Sequence, residues 1–434
     1  MLNDKIKALL KNYQQPDLWL LLLLGFSSGL PFLLILSTFS YWLNELSFTE
    51  TAVSLFTIVS LPYCLKALWA PYVENVRLPL IGRYFSVKKS WGIVSQLFLI
   101  ISLFYMGKVS PADAPYLSGC IALFVCLFSA TQDIVLDGLR LERFNDGAYG
   151  AAASMSGIGF HLGKLASGSG ALYLAHWYNW EKSYQLMALG VLPGIIALIL
   201  FAEKKAEKTF VTLPVKSPFQ DSFKALLKQK GVFTMIAFIL TFKISDAVLQ
   251  GTAATFLYKI GLSKIEFANY TKLYGTIWVI AGASIGGFVV QWLNVYTATV
   301  MAALIQVCAC LMFAVQAHIG YDPFVLSISI GLESFSSGIV TCTLIAMISH
   351  FVQKPFSTSH YTMLYSFGSL SRVIVSVSSG YFAYNFGWSM LYFTLSLLFI
   401  PMLFLVVRLQ KLQHETAGIK SFEEHKHKGT LNVS

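Results

Sequence analysis

The sequence predicts an all-α polytopic membrane protein with twelve transmembrane helices in two six-helix bundles. The first observation is composition: the 434 residues are 56% hydrophobic and only 12% charged, with a mean hydropathy of +0.64. Soluble proteins are about 25% charged, and a soluble core of this size cannot cover so much apolar surface. The second observation is length, because at about 20 residues for each crossing the chain accommodates about twelve spans.

The apolar runs define the predicted spans in order along the chain. The first run is too long for a signal-peptide core and lacks a small-residue cleavage pattern, so we predict an uncleaved first helix. The fourth, fifth and tenth runs exceed the bilayer thickness, which predicts tilt or protrusion into water. The predicted spans are residues 18–43, 51–70, 90–107, 115–143, 148–175, 183–202, 231–258, 267–291, 297–316, 323–350, 356–383 and 387–408.

Basic residues are distributed unequally between the two sets of loops. One set contains 22 Lys and Arg residues, the other contains four, and five more lie within predicted spans. Basic loops stay cytoplasmic, so we predict that both termini are inside and that the number of spans is even. This asymmetry accounts for the formal net charge of +10. The basic residues are scattered over short loops and form no patch for nucleic acid.

The longest predicted inner loop lies near the middle of the chain and separates two halves. Phe219, Phe223 and Leu226 follow a helical spacing there, and Ser217-Pro218 is a typical helix start. This pattern predicts a short amphipathic helix in the inner membrane interface. The predicted organisation is an N-terminal bundle (1–202), a cytoplasmic linker with this helix (203–230), a C-terminal bundle (231–408) and a cytoplasmic tail (409–434).

Motifs for enzymatic or metal chemistry are absent from the sequence. The six cysteines all fall within predicted spans, where packing explains them, and no zinc spacing occurs. There is no phosphate-binding loop, nucleophile elbow or His-Glu-x-x-His motif. We therefore predict no catalytic site, metal or cofactor, and transport that is facilitated or driven by an ion gradient.

Ionisable residues inside the predicted spans give the main indication of function. A charge at the bilayer centre costs at least ~2.5–3.5 kcal/mol on insertion scales, so it faces a partner or a wet cavity. Several such residues predict a polar pathway through a helical bundle, and therefore a transporter. They are Asp133, Asp137, Lys164, Lys243, Asp246, Lys272, Glu333 and Arg372.

Asp133 and Asp137 form the most specific part of this set. They lie four residues apart and share one helix face. Two nearby carboxylates in a low dielectric titrate as a coupled pair, which suits proton handling. The alternative is a structural ion pair of Asp137 with Arg140 or Arg143.

The remaining candidates each have a structural alternative. Lys164 is either a substrate contact or a counter-ion, and the nearby His161 is either a proton relay or a hydrogen-bonded polar residue. Lys66 lies close to the inner end of a span, and we expect it to extend to water as an anchor.

In the second half, charged residues again occur in pairs. Lys243 and Asp246 lie three residues apart, which predicts an internal ion pair. Arg372 suits a carboxylate, either of the substrate or of Glu333. Lys272 is a further candidate for substrate contact.

The segment Ala130-Thr-Gln-Asp-Ile-Val-Leu-Asp137 is the most specific family signature in the chain, and acetyl-CoA-transporter-like members share it. With this and further matches, nearly the whole chain resembles the AmpG-type muropeptide permease family of the major facilitator superfamily. The chain has Glu74-Asn75 where the family more often has Asp-Arg, and His161 where we expect Arg. Other matching residues are Leu21 to Pro31, Lys66 to Pro71, Gly82-Arg83, Trp91, Lys243 to Asp246, Thr255 to Leu257, Lys272, Gly275, Glu333, Gly338 and Arg372.

The resemblance implies two six-helix bundles around a central cavity that opens alternately to each side. It also implies proton-coupled import of GlcNAc–anhydro-MurNAc peptides across a bacterial inner membrane, with a monomer sufficient for transport. We assign proton coupling to Asp133 and Asp137, with Asp246 and Glu333 as counter-charges or second proton sites. Substrate contact falls to Lys164, Lys243, Lys272, Arg372 and His161. The alternatives are a permease for another anionic metabolite, such as acyl-CoA or a peptide, and a membrane-embedded transferase.

Overall fold

The computed structural model describes residues 15–48, 56–144, 148–201, 218–262, 264–352 and 356–412, and within these ranges the chain is almost entirely helical without strands. Nine helices in these ranges are long and apolar enough to cross a membrane. The helices of the first half are α1 (Pro16–Glu45), α2 (Leu61–Leu65), α3 (Ala70–Asn75), α4 (Val87–Lys108), α5 (Pro115–Arg143), α6 (Tyr149–Leu165), α7 (Ala171–Trp177), α8 (Trp180–Leu189) and α9 (Leu192–Leu200).

The second half begins with a short helix and continues with long ones. Its helices are α10 (Pro218–Lys228), α11 (Val232–Lys259), α12 (Lys264–Phe267), α13 (Gly275–Trp292), α14 (Val295–Ile319), α15 (Pro323–Phe351), α16 (Ser357–Phe386) and α17 (Trp388–Leu397).

Nine of the twelve predicted spans coincide with the helices that are long and apolar enough to cross. The other three coincide with less apolar or interrupted helices. The second span is broken into short α and 3₁₀ turns around Pro62, the fifth contains a π turn at Ala166–Gly170, and the eleventh is α16, which is rich in Ser and Tyr. The number of crossings therefore stays a prediction.

Polar caps and glycines set the ends of several helices. The side chains of Ser86, Asn179, Asn294 and Asp322 each accept a hydrogen bond from the backbone N–H three residues later, at the start of α4, α8, α14 and α15. Gly387 has a φ of +85° and separates α16 from α17, a conformation that glycine adopts without strain. These signals explain why long apolar stretches divide into separate helices.

Glycines allow α1 and α6 to pack with their backbones almost in contact. A Cβ atom at Gly29 would overlap the carbonyl oxygen of Phe160, and one at Gly159 would overlap that of Leu22. Side-chain-free faces of this kind are the usual basis of close helix packing in membranes. This contact fixes the position of α6, which carries the candidate residues His161 and Lys164.

Replacing Gly159 by Ala should lower the melting temperature of the detergent-solubilised protein by roughly 1–3 °C. The added methyl group meets rigid backbone, and overpacking of this kind costs about 1–3 kcal/mol. Gly157→Ala is the matched control, because its nearest neighbour would be the Ala283 methyl group at 4.0 Å. Equal melting temperatures for the two variants would contradict the packing described here.

The two halves meet mainly on one side of the membrane. We call it the basic side, because the loops there carry most of the Lys and Arg. The first part of α6 packs against α13 and α15, and α16 packs against α2, α3 and α5. Gly150 lies against Gly287, and the Cys342 Sγ atom lies 3.8 Å from the Gly150 carbonyl oxygen. These contacts close the interface between the halves on the basic side.

The short helix predicted in the linker is present as α10. Pro218, Ser222 and Leu226 are its buried residues, while Phe223 and Leu227 are about two-fifths exposed. It contacts α3 of the first half and both α11 and α16 of the second. The linker residues before Pro218 and the tail after Leu412 lie outside the described residues.

Candidate functional site

A carboxylate, an ammonium group and a hydroxyl meet in the first half of the chain. Asp133 lies in α5, Ser28 lies on α1, and Lys66 begins the 3₁₀ turn that follows α2. The Ser28 hydroxyl donates to Asp133 Oδ1 at 2.5 Å, and Lys66 Nζ lies 3.5 Å from Oδ2. The Lys66 side chain is 6% exposed and that of Asp133 is 17% exposed. Asp133 is thus a partly accessible carboxylate whose charge is balanced by a buried ammonium group.

Lys66 also contacts the second half of the chain. Its Nζ atom lies 5.6 Å from the centroid of the Tyr365 ring on α16, within the range of a cation–π interaction. The expectation that Lys66 extends to water as an anchor is therefore wrong. The broken second span turns the ammonium into the protein, where a carboxylate and a ring stabilise it.

Asp137 has a different cationic partner. Its Oδ1 atom lies 2.9 Å from Arg140 Nη2, so the structural ion pair considered from the sequence is present. The buried Arg140 guanidinium also lies 4.9 Å from the centroid of the Tyr361 ring on α16. Arg143 instead forms an ion pair with Asp17. The two aspartates share a helix face but are held by separate cations.

A second group of ionisable side chains lies where the halves face each other. Lys243 and Asp246 form the predicted ion pair on α11, with 2.7 Å between Nζ and Oδ2 and both side chains at most 7% exposed. Both lie within electrostatic range of His161 on α6. Lys164 and Asp246 in turn lie within electrostatic range of Glu333 on α15. We call these five residues the central cluster, and both halves contribute to it.

Lys272 and Arg372 are the other two predicted substrate residues. Their side chains lie outside the part of the chain that the structure describes. Their backbones belong to the π turn Ala268–Tyr274 and to α16. Within the described part, no group of three or more His, Cys, Asp or Glu side chains is arranged to hold a metal ion.

A carboxylate of the first half caps the first turn of α16. Glu74 on α3 accepts hydrogen bonds from the backbone N–H groups of Thr358 and Ser359, each at 3.0 Å, and from the Ser359 hydroxyl. The N-cap residue of α16 itself, Phe356, makes no side-chain capping bond. A helix N-terminus has free N–H groups and a partial positive charge, so a carboxylate there is stabilising.

These contacts together form a gate on the basic side. We define it by the three contacts that join the first half to α16: Glu74 with the helix N-terminus, Arg140 with Tyr361, and Lys66 with Tyr365. Since Lys66 also binds Asp133, the gate and the Asp133 carboxylate share one ammonium group. The Lys66 ammonium thus links the Asp133 carboxylate to one of the three gate contacts.

The fold and its sites have known relatives. The family described as "Major Facilitator Superfamily" matches residues 21–354. The chain belongs to this superfamily. The predicted all-α polytopic membrane fold is thus confirmed, and the chain is a transporter and not an enzyme. The structure is similar to that of FucP, a superfamily transporter in the outward conformation, with a TM-score of 0.69, 14% identity and coverage of 92% of this chain and 99% of FucP.

Curated relatives within the superfamily confirm the resemblance to AmpG-type permeases. The chain is 29% identical over 400 residues to "Putative transporter AmpG 3" of Rickettsia prowazekii, which covers 89% of this chain and 95% of that protein. It is 28% identical over 389 residues to the "Anhydromuropeptide permease" of Escherichia coli K12, and the matched region covers 88% of this chain and 77% of that protein.

Sequence reasoning missed several uncharged residues of the site. Ser28, Tyr361 and Tyr365 bind the charged groups, but none has a charge of its own, and only Ser28 lies in a segment that matches the family. The four-residue spacing of Tyr361 and Tyr365 places both rings on one face of α16, where they stack at 5.9 Å. That spacing was a visible signal, although aromatic residues at helical spacing are common in membrane helices.

Proposed function

We propose that this superfamily member is a proton-coupled secondary transporter that imports anionic cell-wall degradation products, GlcNAc–anhydro-MurNAc peptides, by alternating access. The central cluster is the observation that carries the proposal. Ionisable side chains of both signs come from both halves and meet at their interface. Charged residues inside membrane spans mark substrate and proton pathways by default.

The lysines of the site suit a solute with several carboxylates. Lys164 of the first half and Lys243 of the second lie near His161, so a solute between the halves can bind an ammonium group from each half. We assign Lys272 and Arg372 to the same substrate set. Charge-assisted hydrogen bonds to carboxylates are about twice as strong as neutral ones. The name of the Escherichia coli relative supports muropeptides as these solutes.

Proton coupling is assigned to Asp133 and Asp137, with Asp246 and Glu333 as counter-charges or second proton sites. Four residues of α-helix separate the two aspartates along the axis by about 6 Å. Asp133 lies farther from the basic side and takes up the proton, and Asp137 passes it onward. Protonation of Asp133 removes the negative charge that neutralises Lys66. The contacts that keep the gate closed are weakened as a result.

The orientation follows from the distribution of basic residues. We assign the basic side to the cytoplasm of a bacterial cell, which places both termini inside and the protein in the inner membrane. In this orientation the gate closes the cytoplasmic side, and the structure corresponds to a state that awaits solute and protons from outside. One chain supplies every residue of the proposed site, so a monomer suffices.

Counterflow in proteoliposomes tests the proposal directly. Purified protein should exchange labelled GlcNAc–anhydro-MurNAc tripeptide, and an acidic exterior should drive accumulation at least tenfold above the protein-free control. Exchange without a response to the pH difference would remove proton coupling from the proposal. Absence of exchange would remove the muropeptide as substrate.

The charge of the central cluster also favours a second candidate, a permease for another anionic metabolite such as an acyl-CoA or a small peptide. Competition separates the two. An excess of unlabelled anhydro-muropeptide should suppress the exchange of its labelled form, whereas acyl-CoA and sugar-free peptide should not. Stronger competition by acyl-CoA or peptide than by muropeptide would favour the second candidate.

A further inference from the structure

Three aromatic side chains of the first half lie against one another beside Lys164. The Phe32 ring lies 5.6 Å from that of Tyr63 and 5.8 Å from that of Phe160, measured between centroids. All three side chains are half-buried. We call them the aromatic wall. Its residues come from α1, α2 and α6 and carry no charge.

The aromatic wall lies one helical turn from the Asp133 site on the side away from the gate. Phe32 follows Ser28 by four residues, and Tyr63 precedes Lys66 by three. The Tyr63 hydroxyl donates to the Ser129 hydroxyl at 2.8 Å, and Ser129 precedes Asp133 by one turn of α5. The polar site and the aromatic wall are thus adjacent layers of the first half.

A cation stands above the wall. Lys164 Nζ lies 5.6 Å from the centroid of Phe32 and 5.7 Å from that of Phe160. His161, next to Phe160 in sequence, lies within electrostatic range of Lys243 and Asp246 across the interface. Lys164 therefore belongs to the central cluster and also contacts the aromatic wall.

Ring faces beside an ammonium group fit one kind of ligand well. The C–H face of a pyranose is apolar and flat enough to stack on an aromatic ring, while a carboxylate near the sugar pairs with the ammonium. A purely apolar ligand would not use Lys164, and a small inorganic anion would not use the rings. The Tyr63 hydroxyl is engaged with Ser129, so this residue contributes its ring to the surface.

We infer that the aromatic wall of Phe32, Tyr63 and Phe160 is the subsite that stacks a sugar ring of the substrate, with Lys164 holding a carboxylate next to that ring. The inference rests on the proposed function and extends it, because it separates the sugar contact from the charge contact. It also places the bound sugar directly over Asp133. Bound substrate then covers the proton site on the side away from the gate.

Binding of two sugars that differ only in charge tests this assignment. The probes are GlcNAc–anhydro-MurNAc, which has a free carboxylate, and its methylamide, which has none. Affinity is measured by calorimetry on the full-length protein in detergent. Phe32→Leu should weaken both probes about tenfold, whereas Lys164→Gln should weaken the acid about tenfold and the methylamide less than twofold.

Two further variants keep the test decisive. Phe160→Leu repeats the wall substitution on another helix, in case Phe32→Leu does not fold. Phe124→Leu, on α5 and 51% exposed, lies outside the wall and should change neither affinity. Wild-type affinity of a folded wall variant for both probes, or loss for the acid alone, overturns the subsite while leaving the proposed function intact. Failure of the wild-type protein to bind either probe overturns both.

Discussion

Replacing Asp133 by Asn should abolish accumulation of substrate under a pH gradient. An amide cannot take up and release a proton at the pH of the assay, so the solute gradient should fall to the value measured without a pH difference. Uptake of labelled muropeptide into proteoliposomes with an acidic exterior measures this. Asp113→Asn is the control, because that carboxylate is exposed in the loop before α5 and should leave accumulation unchanged.

The same substitution should also destabilise the protein, because it leaves Lys66 buried without its carboxylate. Removal of one partner of a buried ion pair costs about 3–5 kcal/mol. The double variant Lys66→Gln, Asp133→Asn should recover most of that loss in thermal stability, since both charges are removed. It should still exchange substrate but fail to accumulate it. Accumulation by the double variant would exclude Asp133 from the coupling path.

Asp137→Asn should share the loss of accumulation and should also destabilise the protein. It leaves the buried Arg140 guanidinium with its contact to the Tyr361 ring but without its carboxylate, just as Asp133→Asn leaves Lys66 with the Tyr365 ring alone. Accumulation and thermal stability of the two variants should therefore be measured side by side. Wild-type accumulation by Asp137→Asn would limit its role to the ion pair with Arg140.

The sequence predicted those parts of the site that helix geometry fixes locally. Lys243 and Asp246 lie three residues apart, so any helix brings them together, and the structure has their ion pair. The same argument placed Asp133 and Asp137 on one face and raised Arg140 as a partner of Asp137. The apolar runs predicted the long helices for a similar reason, since a span needs only a continuous stretch of apolar residues.

Contacts between distant segments were not predictable from spacing. Glu74 and Ser359 are 285 positions apart, and nothing near either residue indicates that the two meet. Lys66 was misplaced because an ammonium near a helix end normally reaches water, whereas here the interrupted second span brings it to Asp133. Phe32, Tyr63 and Phe160 read as ordinary apolar residues, and only the packing of three helices shows that they form one surface.

Replacing Glu74 by Gln should open the gate on the basic side. The substitution keeps the size of the side chain but removes the charge that two backbone N–H groups and a hydroxyl now share. Loss of a charged cap at a helix N-terminus costs about 2 kcal/mol at the upper end of measured effects. At about 1.4 kcal/mol for each factor of ten, the closed-to-open ratio should fall roughly 30-fold.

Distances between spin labels on the two halves measure this shift. Tyr84 and Leu293 are both exposed on the basic side, one in each half, and their separation should lengthen in Glu74→Gln. Glu142→Gln is the control, because Glu142 pairs with Lys88 within the first half and does not cross the interface. Unchanged distances in Glu74→Gln would show that the bonds from Glu74 to the N-terminus of α16 do not keep the gate closed.

Because Glu74 caps α16 partly through the Ser359 hydroxyl, the effects of substitutions at these two residues should depend on each other. Ser359→Ala removes one of the three hydrogen bonds and should shift the gate less than Glu74→Gln does. Once residue 74 is glutamine, the further loss of the Ser359 hydroxyl should have little effect on the gate, so the effects of the two substitutions should not add.

Opening of the gate lowers the fraction of molecules that can accept solute from outside, and apparent affinity falls in proportion to that fraction. Transport by Glu74→Gln should therefore require more external substrate while exchange at saturation is retained.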